Sequence, residues 1–176
     1  RYIILTFALR NCKCMNRIST RIRQSLRDIY PPEELKALTM MICCDMLGFD
    51  PLDIYLGKDM ILSECKEREL ENIIFRLQKN EPIQYIRGFA EFGGRKFKVS
   101  PGVLIPRSET AELVELIVKE NPGARHLLDI GTGSGCIAIS LDKRLPDADV
   151  EAWDISEEAL AIARTNNEEL ESRVLF

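Results

Sequence analysis

The sequence has 176 residues, of which 45% are hydrophobic and 30% charged, and its net charge is −4. This composition is typical of a folded globular protein, and the length suits one large domain or two small ones. The apolar run at residues 2–9 is too short to cross a membrane. The single histidine, His126, leaves little material for a histidine-rich metal site or a catalytic triad.

The cysteines lack the paired spacing of a zinc site. We therefore expect no metal cofactor, and we interpret them as reduced thiols of a cytoplasmic protein. The six are Cys12, Cys14, Cys43, Cys44, Cys65 and Cys136.

Charge is distributed unevenly along the chain. The net charge is +6 over residues 1–30, −5 over 31–86, +4 over 87–107 and −9 over 108–176. The acidic last segment contains the clearest motifs, and its charge disfavours a face that grips nucleic-acid phosphates. We therefore expect no direct contact with nucleic acid. The positive charge of residues 1–30 is more typical of a solvent-exposed helix face than of a binding site for an acidic partner.

The first methionine is Met15, and no small-residue cleavage site follows the apolar run near the start. We therefore expect residues 1–14 to lie upstream of the native start. From residue 15 to 80, apolar residues recur at three- and four-residue steps, which predicts a small helical bundle. The apolar positions are Ile18, Ile22, Leu26, Ile29, Leu35, Leu38, Met41, Ile42, Leu47, Leu70, Ile73, Ile74 and Leu77.

Residues 81–106 predict a β-hairpin followed by a connector. Apolar residues alternate on either side of Gly93-Gly94, a pair typical of a tight hairpin turn. Prolines on both sides of residues 102–105 prevent a continuous helix there. Ser108 is expected to cap the next helix, and Asn121 to end it. The buried face of that helix is expected to contain Leu113, Val114, Ile117 and Val118.

The stretch from His126 onwards predicts the first half of a doubly wound α/β sheet. A short apolar strand over 126–130 leads into a glycine-rich loop, which a helix over 136–145 follows. A second strand over 150–155 precedes another helix, which Ser156 is expected to cap. The loop consists of Gly131, Thr132, Gly133, Ser134 and Gly135.

Such a loop lets a ligand approach the backbone and directs free N–H groups towards it. Asp154, nineteen residues after Gly135, is placed to accept hydrogen bonds from ribose hydroxyls. Asp129, next to the loop, disfavours a pyrophosphate and favours a cationic ligand. These residues favour S-adenosylmethionine, which has a sulfonium and an ammonium group, and they leave a dinucleotide or a purely structural turn as alternatives.

Three motifs resemble those of the PrmC/HemK family, the glutamine methyltransferases of peptide chain release factors. The run from Leu128 to Ile139 resembles the first motif of class I methyltransferases. Residues 81–88 together with 92–99 are similar to the interdomain hairpin of the family, and residues 102–110 to its signature connector. The resemblance covers about residues 16–176.

The resemblance implies an α/β fold in which a helical bundle (15–80) and a hairpin connector (81–106) precede the first half of a Rossmann-like methyltransferase domain (107–176). The implied reaction transfers a methyl group from S-adenosylmethionine to the side-chain amide of the glutamine in the Gly-Gly-Gln motif of class-1 release factors. The bundle is expected to recognise this protein substrate. A monomer without membrane contact is expected.

The resemblance also implies roles for particular residues. The loop from Gly131 to Gly135 would hold the methionine part of the cofactor, and Asp154 would bind the ribose. The connector residues Arg107, Glu109 and Thr110 are expected near the cofactor pocket. Ser108 stands where the family commonly has proline.

The catalytic tetrapeptide of the family, Asn-Pro-Pro-Tyr, does not occur in this sequence. The Asn121-Pro122 pair precedes the glycine loop and cannot take its role. We therefore expect no catalytic residue and no activity in this chain alone, and a poorly packed second domain. The alternatives are methylation of another planar nitrogen, in a ribosomal protein or in adenine, and a dinucleotide-dependent oxidoreductase.

Overall fold

The computed structural model describes residues 17–176 and contains both helices and strands. The expected extension over 1–14, with Cys12 and Cys14, lies outside the described residues. The chain divides into two compact units between Ile83 and Gln84. Across residues 17–176, no helix combines the length and the apolar character that a membrane crossing requires.

The first unit is helical, as the apolar spacing predicts. Two of its helices begin at a residue whose side chain caps them: Asp50 accepts from Leu52 N–H at 2.7 Å, and Ser63 accepts from Lys66 N–H at 3.4 Å. The helices are α1 (Arg17–Leu26), α2 (Pro32–Met40), α3 (Pro51–Tyr55) and α4 (Glu64–Gln78), and a π-helical turn (Met41–Met46) continues α2.

The core of the first unit comes from the predicted apolar stripe. Ile29 and Met41 are the exceptions: Ile29 follows the end of α1 and is 39% exposed, and Met41 is half-buried. The other stripe residues bury their side chains on facing helices, which supplies most of the stability of a small bundle. The side chains with the least exposure are Ile22, Leu26, Ile42, Leu47, Leu70, Ile73 and Leu77.

The second unit contains the hairpin and the predicted β-loop-α-β-α arrangement. The hairpin strands are antiparallel, with Phe92 opposite Arg95 across the Gly93-Gly94 turn. A short helix precedes them, so residues 83–87 are not extended as the alternating pattern predicts. The elements are α5 (Ile83–Arg87, at the boundary of the units), β1 (Phe89–Phe92), β2 (Arg95–Lys98), α6 (Ser108–Glu120), β3 (His126–Ile130), α7 (Cys136–Arg144), β4 (Asp149–Trp153) and α8 (Glu157–Glu169).

The parallel pair β3–β4 has one covered face and one open face. Leu127 is paired with Val150 on the face that packs against the core. On the opposite face, Ile130 is 74% exposed and Trp153 is 55% exposed. Within residues 17–176, β4 is the one strand that pairs with β3, whereas Leu175 bridges to the other edge of β4. Poor packing of this domain stays a prediction, and the open apolar face supports it.

Three local predictions are wrong. Arg107, not Ser108, is the N-cap of α6, and its side chain makes no capping hydrogen bond. Leu113 is exposed, because the buried stripe of α6 runs through Ala111 and Val114, and Leu113 lies about 100° around the helix from Val114. The second strand also ends two residues early, at Trp153, and Ile155 is fully exposed.

Asp142 holds the last residues of the chain against α7. Its carboxylate accepts hydrogen bonds from Ser172 Oγ at 2.8 Å, from the Arg173 backbone N–H at 3.2 Å and from Arg173 Nη2 at 2.9 Å. Burial raises the pKa of Asp142, but these hydrogen bonds outweigh it, and the pKa lies below its ordinary value.

Because the pKa of Asp142 is lower in the folded than in the unfolded chain, its ionised carboxylate stabilises the attachment at pH above about 4. This stabilisation is lost as the pH falls through the folded-state pKa. We therefore expect acid to release residues 172–176 before α7 unfolds. Hydrogen exchange at Leu175, whose N–H donates to the Val150 carbonyl, measures this release. The control is Asp142→Asn, in which protection at Leu175 should not depend on pH; equal pH dependence in both proteins would contradict the prediction.

Candidate functional site

The glycine loop folds back over the end of β4. Gly131, Gly133 and Gly135 all have positive φ, at +81°, +56° and +79°. The N–H groups of Gly131 and Thr132 both donate to the Trp153 carbonyl, at 2.8 and 3.0 Å. The predicted loop therefore joins the ends of the two parallel strands at one edge of the sheet, where ligands of α/β folds bind.

Asp154 lies at this edge and closes the loop. Its Oδ2 accepts the Gly133 N–H at 2.8 Å, and its Oδ1 accepts the Ser156 N–H at 2.9 Å. These backbone donors at Ser156 and Gly133 hold the pKa of Asp154 below its ordinary value, so the group is a carboxylate at neutral pH. Because each carboxylate oxygen can accept a further hydrogen bond, Asp154 can still bind two hydroxyls.

Asp129 supports the loop from the other side. Its Oδ2 accepts the hydroxyl hydrogen of Thr132 at 2.7 Å, and the Thr132 side chain is buried. The structure thus brings both predicted carboxylates, Asp129 and Asp154, to the same loop. Two negative charges at this position favour a cationic ligand over a pyrophosphate.

The loop has an open side and a packed side. A Cβ atom built at Gly131 or Gly133 would meet nothing within 4 Å, so a ligand can approach the backbone there. At Gly135 the same atom would lie 3.0 Å from Ile139 Cδ1 and 3.3 Å from Ala163 Cβ. This arrangement fits an adenosyl ligand with a positive charge: open backbone for close approach, and carboxylates for hydroxyls and cationic groups.

Asn166 on α8 is a site residue that the sequence analysis missed. It is 1% exposed, and its Nδ2 donates to the Ser134 carbonyl of the glycine loop at 2.8 Å. The same side chain binds β2: Oδ1 accepts the Lys98 N–H at 2.6 Å, and Nδ2 donates to the Lys98 carbonyl at 3.1 Å. Asn166 therefore ties the loop to the hairpin.

The connector residues lie elsewhere in the second unit. Arg107 and Glu109 line a cleft of about 450 Å³ with Tyr85, and no residue of the glycine loop lines that cleft. Thr110 lies in the first turn of α6. The connector nevertheless packs against the start of α8, where Val103 and Ala159 belong to one buried cluster. A role for Arg107, Glu109 and Thr110 in binding the cofactor stays a prediction.

Cys136 is the first residue of the helix that follows the glycine loop, and it is buried. Burial raises the pKa of the Cys136 thiol, so it is not a thiolate at neutral pH. In the described part of the chain, no three His, Cys, Asp or Glu side chains are grouped in a way that could hold a metal ion.

Comparison with protein families matches both parts of the chain. The PrmC N-terminal domain matches residues 18–88, and the methyltransferase small domain matches residues 108–175. Among solved structures, the tRNA (uracil-54, C5)-methyltransferase of Pyrococcus abyssi in complex with S-adenosyl-L-homocysteine matches 51% of this chain and 23% of its own. The identity is 25% and the TM-score 0.43, a likeness too distant to bear on function.

Curated relatives give a closer match. The release factor glutamine methyltransferase of Bacteroides thetaiotaomicron is 82% identical over 92% of this chain and 58% of its own length. The enzyme of the same name from Flavobacterium psychrophilum is 42% identical over 84% of this chain and 53% of its own length. The chain thus spans about half the length of the curated relatives it matches. Over the part that it spans, the chain is similar in sequence to release factor glutamine methyltransferases.

Proposed function

We propose that the glycine loop binds S-adenosylmethionine and that this chain works within an enzyme that methylates the glutamine side-chain amide of class-1 peptide chain release factors. The observation that carries this proposal is the 82% identity to a release factor glutamine methyltransferase. The two carboxylates and the open backbone of the loop support it independently. Because release factors act in translation, we place the enzyme in the cytoplasm.

The residues of this chain bind and orient the cofactor. S-adenosylmethionine, when bound, supplies a methyl group activated by a positively charged sulfur. Gly131 and Gly133 would allow its methionine part close to the backbone, and Asp154 would fix the ribose through hydroxyl hydrogen bonds. An amide nitrogen is a poor nucleophile, so transfer depends mainly on such positioning.

Substrate recognition falls to the helical bundle in this proposal. The match of residues 18–88 to the PrmC N-terminal domain supports a role for the bundle specific to this family. The net charge of −9 over residues 108–176 supports a protein substrate rather than a nucleic acid. We further propose that Arg107, Glu109 and Thr110 lie near the cofactor and that the enzyme is a monomer.

A chimera tests the reaction. The matching segment of the Bacteroides thetaiotaomicron relative would be replaced by residues 15–176 of this chain, and the chimera incubated with S-adenosylmethionine and a class-1 release factor. Mass spectrometry of the Gly-Gly-Gln peptide should show the added mass of one methyl group on the glutamine. A chimera that folds and binds the cofactor but leaves this peptide unmodified would overturn the proposed substrate.

Asp154→Ala tests the cofactor site. We expect it to weaken S-adenosylmethionine binding by about 1–3 kcal/mol, because a charged acceptor of hydrogen bonds is lost. Calorimetric titration of the chimera, with and without this substitution, with S-adenosylmethionine and then NAD measures this change. Asp149→Ala is the matched control, since Asp149 lies at the far end of β4 with a largely exposed side chain. Binding of NAD but not S-adenosylmethionine, or equal affinity in both variants, would reject the site.

A further inference from the structure

A second cleft lies beside the hairpin, and we name it the hairpin cleft. Its volume is about 510 Å³, and no residue of the glycine loop lines it. It combines apolar side chains with basic ones, and it contains a single acid. The residues that define it are Phe89, Lys96, Lys98, Val99, Ile162 and Glu169, together with Arg87.

Phe89 organises the basic side chains of the cleft. The guanidinium of Arg87 lies 4.2 Å from the centroid of the Phe89 ring, and Lys96 Nζ lies 4.7 Å from it. Arg87 Nε also donates to the Phe89 carbonyl at 2.9 Å. These contacts fix two positive charges beside an aromatic surface, so less conformational entropy is lost when an anionic group binds them.

Lys98 supplies a third positive charge. Its Nζ forms an ion pair with Glu169, but both side chains are about half exposed. An ion pair this exposed contributes little stability, so a carboxylate from a partner can compete with Glu169. The backbone of Lys98 is meanwhile held by Asn166, which keeps this wall of the cleft in place.

The charge around the cleft selects the kind of partner. Residues 87–107 have a net charge of +4, whereas residues 108–176 have a net charge of −9. A long polyanion such as RNA would extend from the cleft onto acidic surface and be repelled. A short acidic peptide segment meets three basic side chains and one acid, Glu169, and an apolar side chain in it can pack against Phe89 and Ile162.

From these contacts we infer that the hairpin cleft binds an acidic segment of a partner protein. In this segment, one apolar residue lies between acidic residues, and its side chain inserts into the cleft. The carboxylates contact Arg87 and Lys96, and the apolar side chain contacts Phe89 and Ile162. This inference does not depend on the reaction at the glycine loop.

Fluorescence anisotropy with a fluorescein-labelled peptide, Asp-Glu-Asp-Phe-Asp-Glu-Asp, tests the inference on the whole chain. We expect binding that weakens as salt is raised. Lys96→Glu should reduce the affinity at least tenfold, and Lys96→Ala should reduce it less. Lys119→Glu makes the same charge change on α6, away from the cleft, and should leave the affinity within twofold. Replacing the phenylalanine of the peptide with serine should also weaken binding.

Three results would overturn the inference: no binding of the peptide, equal affinities for Lys96→Glu and Lys119→Glu, or tighter binding of a uridine heptanucleotide than of the peptide. The fluorescence of Trp153, measured in each variant, verifies that the second unit keeps its fold. Peptide binding should also persist in Asp154→Ala, so failure at the glycine loop is distinguishable from failure at the hairpin cleft.

Discussion

Replacing Gly135 with alanine is expected to destabilise the second unit by about 2–4 kcal/mol. A left-handed backbone, here with φ of +79°, costs an L-residue about 1–2 kcal/mol. The added Cβ would also lie 3.0 Å from Ile139 Cδ1, and Ile139 is fully buried. Overpacking of this kind costs about 1–3 kcal/mol. The strain and the overpacking act together at this position.

Urea unfolding followed by the fluorescence of Trp153 measures this loss. Trp153 is the only tryptophan in the sequence, and its carbonyl accepts the N–H groups of Gly131 and Thr132, so it reports on the loop directly. Two further glycines separate the causes. Gly94→Ala has the backbone strain alone, with φ of +75° and nothing within 4 Å, and Gly123→Ala has neither.

We therefore expect Gly135→Ala to destabilise the second unit most, Gly94→Ala less and Gly123→Ala least. Equal midpoints for Gly135→Ala and Gly123→Ala would show that the loop does not have the described conformation.

The secondary structure of the second unit is predictable because its signals are local. Ser156 caps α8 by accepting the Ala159 N–H, as its position before two acidic residues predicts. The Gly93-Gly94 turn and the alternation around it likewise determine the hairpin. The meeting of Asp154 with the glycine loop is predictable too, because the carboxyl ends of adjacent parallel strands lie at the same edge of a sheet.

Features that depend on distant residues are not predictable in this way. Leu113 looks like part of the buried face of α6, but the partners of that helix select the stripe through Val114. The hydrogen bond from Gly133 to Asp154 depends on the loop conformation, which residue types alone do not specify. Whether the loop binds S-adenosylmethionine stays a prediction.

Asn166 illustrates the same limit, because its partner Lys98 is 68 residues away in the sequence. One sequence signal does exist. Asn166 continues the buried stripe of α8 through Ala159 and Ala163, and a polar residue on such a stripe must find partners.

Removing the side chain of Asn166 is expected to destabilise the second unit by about 2–4 kcal/mol. Asn166→Ala leaves the Lys98 N–H, the Lys98 carbonyl and the Ser134 carbonyl without their partner. The hydrogen bond to Ser134 is buried and the two to Lys98 are partly buried, and an unpaired group that is buried costs about 1–3 kcal/mol. Water that enters the space would recover part of this loss. Hydrogen exchange at the Lys98 amide measures the effect locally, and urea unfolding measures it globally.

Leu160→Ala is the matched control for Asn166→Ala. Leu160 is a buried residue of the same helix, so its truncation lowers global stability through lost packing while the hydrogen bonds of Asn166 remain. At equal global stability, Lys98 should exchange faster in Asn166→Ala than in Leu160→Ala. Equal exchange rates would mean that Asn166 does not hold the hairpin.

Asn166→Asp separates hydrogen bonding from packing. An aspartate keeps the acceptor for the Lys98 N–H, but it presents a charged oxygen to the carbonyls of Lys98 and Ser134. Burial and this repulsion should raise the pKa of the new carboxyl, so Asn166→Asp should regain stability as the pH falls from 7 towards 5. Protonation of the new carboxyl group restores a hydrogen-bond donor to one of the two carbonyls. Asn166→Ala has no group to protonate, so its stability should not rise in this way. Because the Ser134 carbonyl belongs to the glycine loop, both substitutions should lower the affinity for S-adenosylmethionine at pH 7. As the pH falls towards 5, the affinity should recover in Asn166→Asp and stay low in Asn166→Ala.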